Sequence, residues 1–149
     1  MNIDQEIKRI LEILRKRCWT IGTMESCTGG ALSNAVTNIP GASDVFRYGL
    51  VAYSNEAKIK AGVEKKIIKE NGVYSMNVAE EMARKVEGNV GVGITGNLPG
   101  EVFVVVRVKE KIKSEKLVVE SEDKNKVEAR KEMKEEVVSK AVEMIIDSI

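Results

Sequence analysis

Apolar residues at Ile3, Ile7, Ile10, Leu11 and Leu14 recur at the spacing of a helix that buries one face, predicting a first helix over residues 3–16. Cys18 to Met24 reads as a short buried strand. Thr28-Gly29-Gly30 then opens a second helix running to about Asn38, and Pro40-Gly41 breaks the chain. Phe46 to Ser54 is a second strand, and two or three short helices are expected between Asn55 and Val86, punctuated by Gly62 and Gly72. Val90 to Thr95 is a third strand. Val102 to Val106 is a fourth, whose unbroken apolar run predicts burial on both faces. Lys113 to Ser121 suits a more exposed fifth strand. From Asp123 to Ser148 the pattern is that of one long amphipathic helix burying Val137, Val138, Ala141, Val142 and Ile145.

Strands and helices interleave, with helices at both ends. The pattern predicts a single α/β domain over residues 1–149, a three-layer α/β/α sandwich with a mixed, mostly parallel sheet. At 149 residues the chain can bury a full core, and no internal repeat or linker interrupts it. The charged run from Lys124 to Glu136 reads as the solvated face of the last helix.

Composition narrows the function classes. A formal net charge of +1 argues against a broad surface for nucleic acid or anionic lipid. No segment has the length of a membrane span, and the acidic, polar start Met1 to Glu6 is unlike a signal peptide, so a cytoplasmic location is expected. Cys18 and Cys27 are too few for a disulfide framework and form no CxxC metal spacing; neither a metal nor another cofactor is expected. The chain also contains no histidine. Any nucleophile must therefore be activated by Lys, Tyr, Cys or a carboxylate with a shifted pKa.

Three stretches could carry chemistry. Glu25-Ser26-Cys27-Thr28-Gly29-Gly30 lies where a strand hands over to a helix, where small residues let a ligand approach and free N–H groups favour an anion. Helix capping by Ser26 or Thr28 and a tight glycine turn would explain the same residues. The second stretch combines Pro40-Gly41-Ala42-Ser43-Asp44 with Tyr53-Ser54-Asn55-Glu56-Ala57-Lys58. A desolvated Lys58 could act as base for a serine nucleophile, although spacing alone fits equally a turn serine and a solvated lysine. Cys27, at the start of a helix, is a rival nucleophile and also an ordinary core residue. Third, Gly91-Val92-Gly93-Ile94-Thr95-Gly96 ends a strand with amides and a hydroxyl at the sheet edge where open α/β sheets bind ligands, or simply joins two strands.

Taken together, these segments resemble the C-terminal domain of the CinA (competence- and damage-inducible) family. The resemblance rests on Glu25-Ser-Cys-Thr-Gly-Gly30, Pro40-Gly41-x-Ser43-x-x-Phe46 and Gly49-Leu-Val-Ala-Tyr53-Ser-Asn-Glu-Ala-Lys58. Gly72-Val-Tyr-Ser75, Val78-Ala79-Glu-Glu-Met82-Ala83 and Gly91-Val-Gly-Ile-Thr95-Gly96 follow in the family's order, so the likeness covers nearly the whole chain. It implies a three-layer α/β/α fold and an amidohydrolase that converts nicotinamide mononucleotide to nicotinic acid mononucleotide and ammonia by a serine/lysine mechanism, in the context of NAD salvage. Carried over by position, it implies Ser43 as nucleophile, Lys58 as general base and Tyr53 as its assistant. It also implies a substrate pocket lined by Ser26, Thr28, Gly29, Gly30, Thr95 and Gly96. The partner is then a small-molecule nucleotide, and the family implies a homo-oligomer, a dimer or larger.

One stretch departs from the family pattern. Thr95-Gly96 is followed only by Asn97-Leu98-Pro99-Gly100, where relatives carry a long Gly/Pro-rich loop. A loop of that kind would supply amides to a phosphate or close over the substrate. The alternative to an enzyme is therefore a catalytically inactive nucleotide-binding or interaction protein of the same fold.

Overall fold

A computed structural model describes all residues, 1–149. The chain runs α1 (Ile3–Lys16), β1 (Ile21–Glu25), α2 (Ala31–Thr37), a 3-10 turn (Ala42–Asp44) and β2 (Phe46–Val51). It continues with α3 (Asn55–Lys60), α4 (Lys65–Asn71), α5 (Met76–Lys85), β3 (Val90–Gly96), β4 (Gly100–Val108), β5 (Lys111–Val119) and α6 (Lys126–Ser148). The five strands form one sheet in the order β2-β1-β3-β4-β5. β1 pairs in parallel with β2 and β3, whereas β4 runs antiparallel to both β3 and β5. Four strands thus share a direction and β4 opposes them, which makes the sheet mixed.

The two sheet faces are covered separately. On one, α1, α2 and α6 bury Ile7, Leu14, Leu32, Val137 and Ile145 against Val92, Ile94, Val104 and Val106. On the other, Val78 and Met82 of α5 and Val86 just after it pack with Met24, Val63 and Ile68, and Ala79 and Ala83 pack on Phe103 and Val105. Residues 102–106 of β4 are accordingly buried on both faces, while β5 is half-exposed. Gly91 and Gly93 have a packing role: a Cβ at either would overlap the carbonyl of Ala83 or Ala79, so their absence lets α5 lie directly on β3. No helix is long and apolar enough to cross a membrane.

Several boundaries differ from the pattern-based expectation for local reasons. β1 begins at Ile21 rather than Cys18, because Cys18 takes a left-handed conformation (φ 55°) after α1 and Trp19 is held between Arg17 and Lys109. α2 starts at Ala31 because Gly29 and Gly30 both have positive φ (59° and 97°) and shape the turn that precedes it. β2 stops at Val51; its direction ends where Ser54 caps α3 by accepting the Ala57 N–H at 3.0 Å.

Parallel order decides where function can sit. The carboxyl ends of β2, β1 and β3 lie side by side, and the connections from β1 to β2 and from β2 to β3 cover opposite faces. The crevice above such a reversal is where open α/β sheets place ligands.

Candidate active site

At that edge lies a cavity of about 420 Å³ lined by Ser26 and Cys27 after β1, Tyr53 to Asn55 and Lys58 after β2, Val73 and Tyr74 before α5, Gly96 to Pro99 after β3, and Arg130 from α6. A larger hollow of about 690 Å³ at the opposite sheet end, around Trp19, Val108 and Ile112, contains no nucleophile paired with a base.

The cavity's floor is built from a buried carboxylate outward. Glu25, the last residue of β1, is fully buried and accepts four hydrogen bonds. Oε1 takes the Thr28 hydroxyl at 2.7 Å and the Leu32 N–H at 2.9 Å; Oε2 takes the Ser33 N–H at 3.0 Å and the Ser33 hydroxyl at 2.7 Å. The carboxylate thereby satisfies amides in the first turn of α2 and closes the Ser26–Gly30 turn onto it. Ser26 is fixed from the other side, where its N–H donates to the Ile94 carbonyl at 2.9 Å.

Lys58 reaches this serine from across the crevice. Its side chain is only 1% exposed, and Nζ lies 2.8 Å from Ser26 Oγ and 2.9 Å from the Ala52 carbonyl oxygen. Burial lowers the pKa of the amine below the ordinary 10.5. Nζ donates to Ser26 Oγ and to the Ala52 carbonyl; once deprotonated, the amine would keep the bond to Ala52 and turn its lone pair to the Ser26 hydroxyl. That is the arrangement of a nucleophile and its base. Cys27 beside it is a poor nucleophile: burial raises its thiol pKa to about 11.

The serine that Lys58 contacts in the structure is Ser26 and not Ser43, the partner expected from the sequence. Ser43 is exposed on the 3-10 turn that leads into β2. Since Phe46 pairs with Ile21, Ser43 lies at the amino end of the parallel strands, and it does not line the cavity. Tyr53 lines the cavity mouth, 61% exposed, and makes no hydrogen bond to Ser26 or Lys58, whose contact is direct. Of the other expected lining residues, Ser26 and Gly96 meet the cavity and Thr28, Gly29, Gly30 and Thr95 do not. The Thr28 hydroxyl is committed to Glu25, and that of Thr95 to the Val73 carbonyl at 3.1 Å.

Sequence reasoning missed Glu25 and Arg130. Glu25 was visible as an acid preceding a glycine turn and a helix start. Arg130 lies inside the run expected to be wholly solvated; its guanidinium instead lines the cavity and donates to the Leu98 carbonyl in the short Asn97–Gly100 loop. That loop contains a cis Leu98–Pro99 peptide.

Comparison with known proteins shows the family of the chain. Residues 4–149 match the family model described as the CinA C-terminal domain. A CinA-like protein of Kosmotoga olearia is 37% identical over 139 residues, covering 83% of this chain and 34% of that protein. One from Chloroherpeton thalassium is 45% identical over 94 residues, 60% of this chain and 22% of that protein. The chain therefore spans roughly a quarter to a third of these relatives' length. Among solved structures, the competence/damage inducible protein CihA from Agrobacterium tumefaciens superposes with a TM-score of 0.84 at 27% identity, covering 99% of this chain and 95% of that one. A CinA superfamily protein from Escherichia coli shares the fold with a TM-score of 0.87 at 20% identity, covering 99% and 91%.

Proposed function

Since the chain belongs to the CinA C-terminal domain family, we propose that Ser26 and Lys58 are the nucleophile and general base of an amidohydrolase that converts nicotinamide mononucleotide to nicotinic acid mononucleotide and ammonia. The observation that carries this reading is the 2.8 Å contact between Ser26 Oγ and the buried Lys58 Nζ in an open cavity.

The chemistry follows from those two groups. Neutral Lys58 takes the hydroxyl proton as Ser26 Oγ attacks the carboxamide carbon. The tetrahedral oxyanion needs donors nearby, and the amides of Cys27 and Thr28, directly after the nucleophile, make no backbone hydrogen bond of their own. As the C–N bond breaks, the Lys58 ammonium returns its proton to the departing nitrogen and ammonia leaves. Water then attacks the Ser26 ester with Lys58 again as base, which frees the carboxylic acid and restores the serine. Tyr53 and Tyr74, half or more exposed at the cavity, offer faces for a planar pyridine ring.

The short Asn97–Gly100 loop favours a second reading, a nucleotide-binding protein of the same fold without turnover. One experiment separates them: ammonia release from nicotinamide mononucleotide by the purified protein, beside Ser26→Ala and Lys58→Ala. Turnover that vanishes in both variants supports the amidase. Turnover that survives Ser26→Ala sinks the assignment, and nucleotide binding by an inert wild type turns to the second reading.

A further inference from the structure

The hollow of about 690 Å³ at the opposite sheet end takes no part in the amidase reading. Its floor is apolar: Val106 is buried, and Val108, Ile112 and the Trp19 indole are half-buried around it. Its rim is cationic. Arg17 and Lys109 lie over the indole, 5.0 and 4.8 Å from its centroid. Lys111, the first residue of β5, also lines the hollow. None of these three cations is in an ion pair, whereas Lys113 is neutralised by Asp147 at 3.4 Å. The one carboxylate in the lining is Glu110. Elsewhere on the surface, cations find acids: Lys116 pairs with Glu101 at 3.4 Å, Lys131 with Glu128 at 3.2 Å and Lys140 with Glu115 at 3.2 Å.

An aromatic face holds a cation in place without cancelling its charge. Arg17 and Lys109 therefore keep fixed, uncompensated positive charge at the mouth of an apolar hollow. No group there is placed to react, since the Ser148 hydroxyl is committed to the Met144 carbonyl at 2.6 Å. The size lies within the range of small-ligand sites. A complementary ligand has an apolar body ending in an anion, and the Arg17 guanidinium suits a planar carboxylate. We infer that this hollow binds a small monocarboxylate with an apolar body, the carboxylate at Arg17 and Lys109 and the body on Val106, Val108 and Ile112. It is a second site, separate from amide hydrolysis and independent of Ser26 and Lys58.

Trp19 is the chain's single tryptophan, so its fluorescence reports occupancy directly. Octanoate serves as the probe, with octan-1-ol as the same body without charge and acetate as the charge without the body. Octanoate should change the emission saturably with a Kd on the order of 1 mM, as suits a ligand of about ten heavy atoms. Octan-1-ol and acetate should each bind at least about fivefold more weakly. Calorimetric titration follows the variants, because substitutions beside the indole alter its emission. Arg17 and Lys109 are exposed, so the double variant Arg17→Gln/Lys109→Gln keeps the fold. It should weaken octanoate by about tenfold, as loss of two partly screened charges predicts, and octan-1-ol by less than about twofold. Ser26→Ala should bind octanoate within about twofold of the wild type. No saturable response to octanoate overturns the inference, as does octan-1-ol binding equally well or octanoate binding indifferent to the double variant. Octanoate binding lost in Ser26→Ala overturns it too, by moving the ligand to the amidase cavity. An emission that shifts with protein concentration and ignores octanoate would mean that a second copy of the chain covers the hollow, and the inference fails.

Discussion

Two serines, Ser26 and Ser43, each stand in a short turn beside a glycine with positive φ, and the fold gives them opposite fates. Ser26 follows the carboxyl end of β1; Ser43 precedes the amino end of β2, the strand parallel to β1. The length of a six-residue strand, roughly 17 Å, separates the two edges. A parallel sheet sorts its loops this way, gathering strand-to-helix turns at one edge and helix-to-strand turns at the other. The supports differ as well. The Ser26 turn closes on the fully buried Glu25 carboxylate, whereas the Ser43 turn is held by exposed Arg15, which donates to the Gly41 carbonyl at 3.1 Å and lies 3.7 Å from Asp44. A serine near a lysine in the chain is thus a weaker guide than the strand ends that carry them.

The comparison breaks most visibly in turnover. Ser26→Ala should reduce ammonia release by about a thousandfold or more, while Ser43→Ala should leave it within about twofold. Comparable losses in both would mean that Ser43 acts in an arrangement other than the one seen. The supports give the next effect. Glu25→Gln turns one oxygen into an NH₂ facing an N–H of Leu32 or Ser33, leaving buried donors opposed at a cost of about 2 kcal/mol. For a chain of this length that lowers Tm by about 4–8 °C. Arg15→Ala should cost no more than about 0.5 kcal/mol, since its ion pair is exposed and long. Thermal unfolding of the two variants side by side checks the difference, and a Glu25→Gln protein as stable as Arg15→Ala would contradict the clamp.

Periodicity made the frame legible. Helix α1 falls on residues 3–16 as its apolar spacing requires, and the doubly buried run in β4 shows as Val102 to Val106 without a polar break. What periodicity cannot carry is the contact between distant turns. Ser26 and Lys58 are 32 residues apart and meet only because β1 and β2 pair in parallel and end together. Arg130 was hidden for a related reason. In a helix with charges on most of one side, no local signal separates the arginine that turns toward a loop from the lysines that pair along the surface. The Gly91-Val92-Gly93 stretch, open to a ligand reading in the sequence, has its physical cause in the close approach of α5. Fold followed from patterns within segments; the site depended on which strand ends the topology brings together.

The pH profile of turnover tests the Ser26 side of the comparison most directly. Lys58 is buried, so its charged form is disfavoured and its pKa lies below 10.5. Only the neutral amine accepts the Ser26 proton. Below that lowered pKa the reactive fraction, and with it kcat/KM, should fall about tenfold for each unit of pH, with a slope of one proton. As pH rises through the pKa the rate should level off, and the midpoint should lie below the range of an exposed lysine. Stability moves with the same sign. Between the lowered folded pKa and the ordinary unfolded value the unfolded chain binds the extra proton, so burying Lys58 costs less as pH rises through that window. Lys58→Arg removes the limb along with the activity, because a guanidinium stays protonated throughout. A limb that persists unchanged in Lys58→Arg would assign the titration, and the base, to another group.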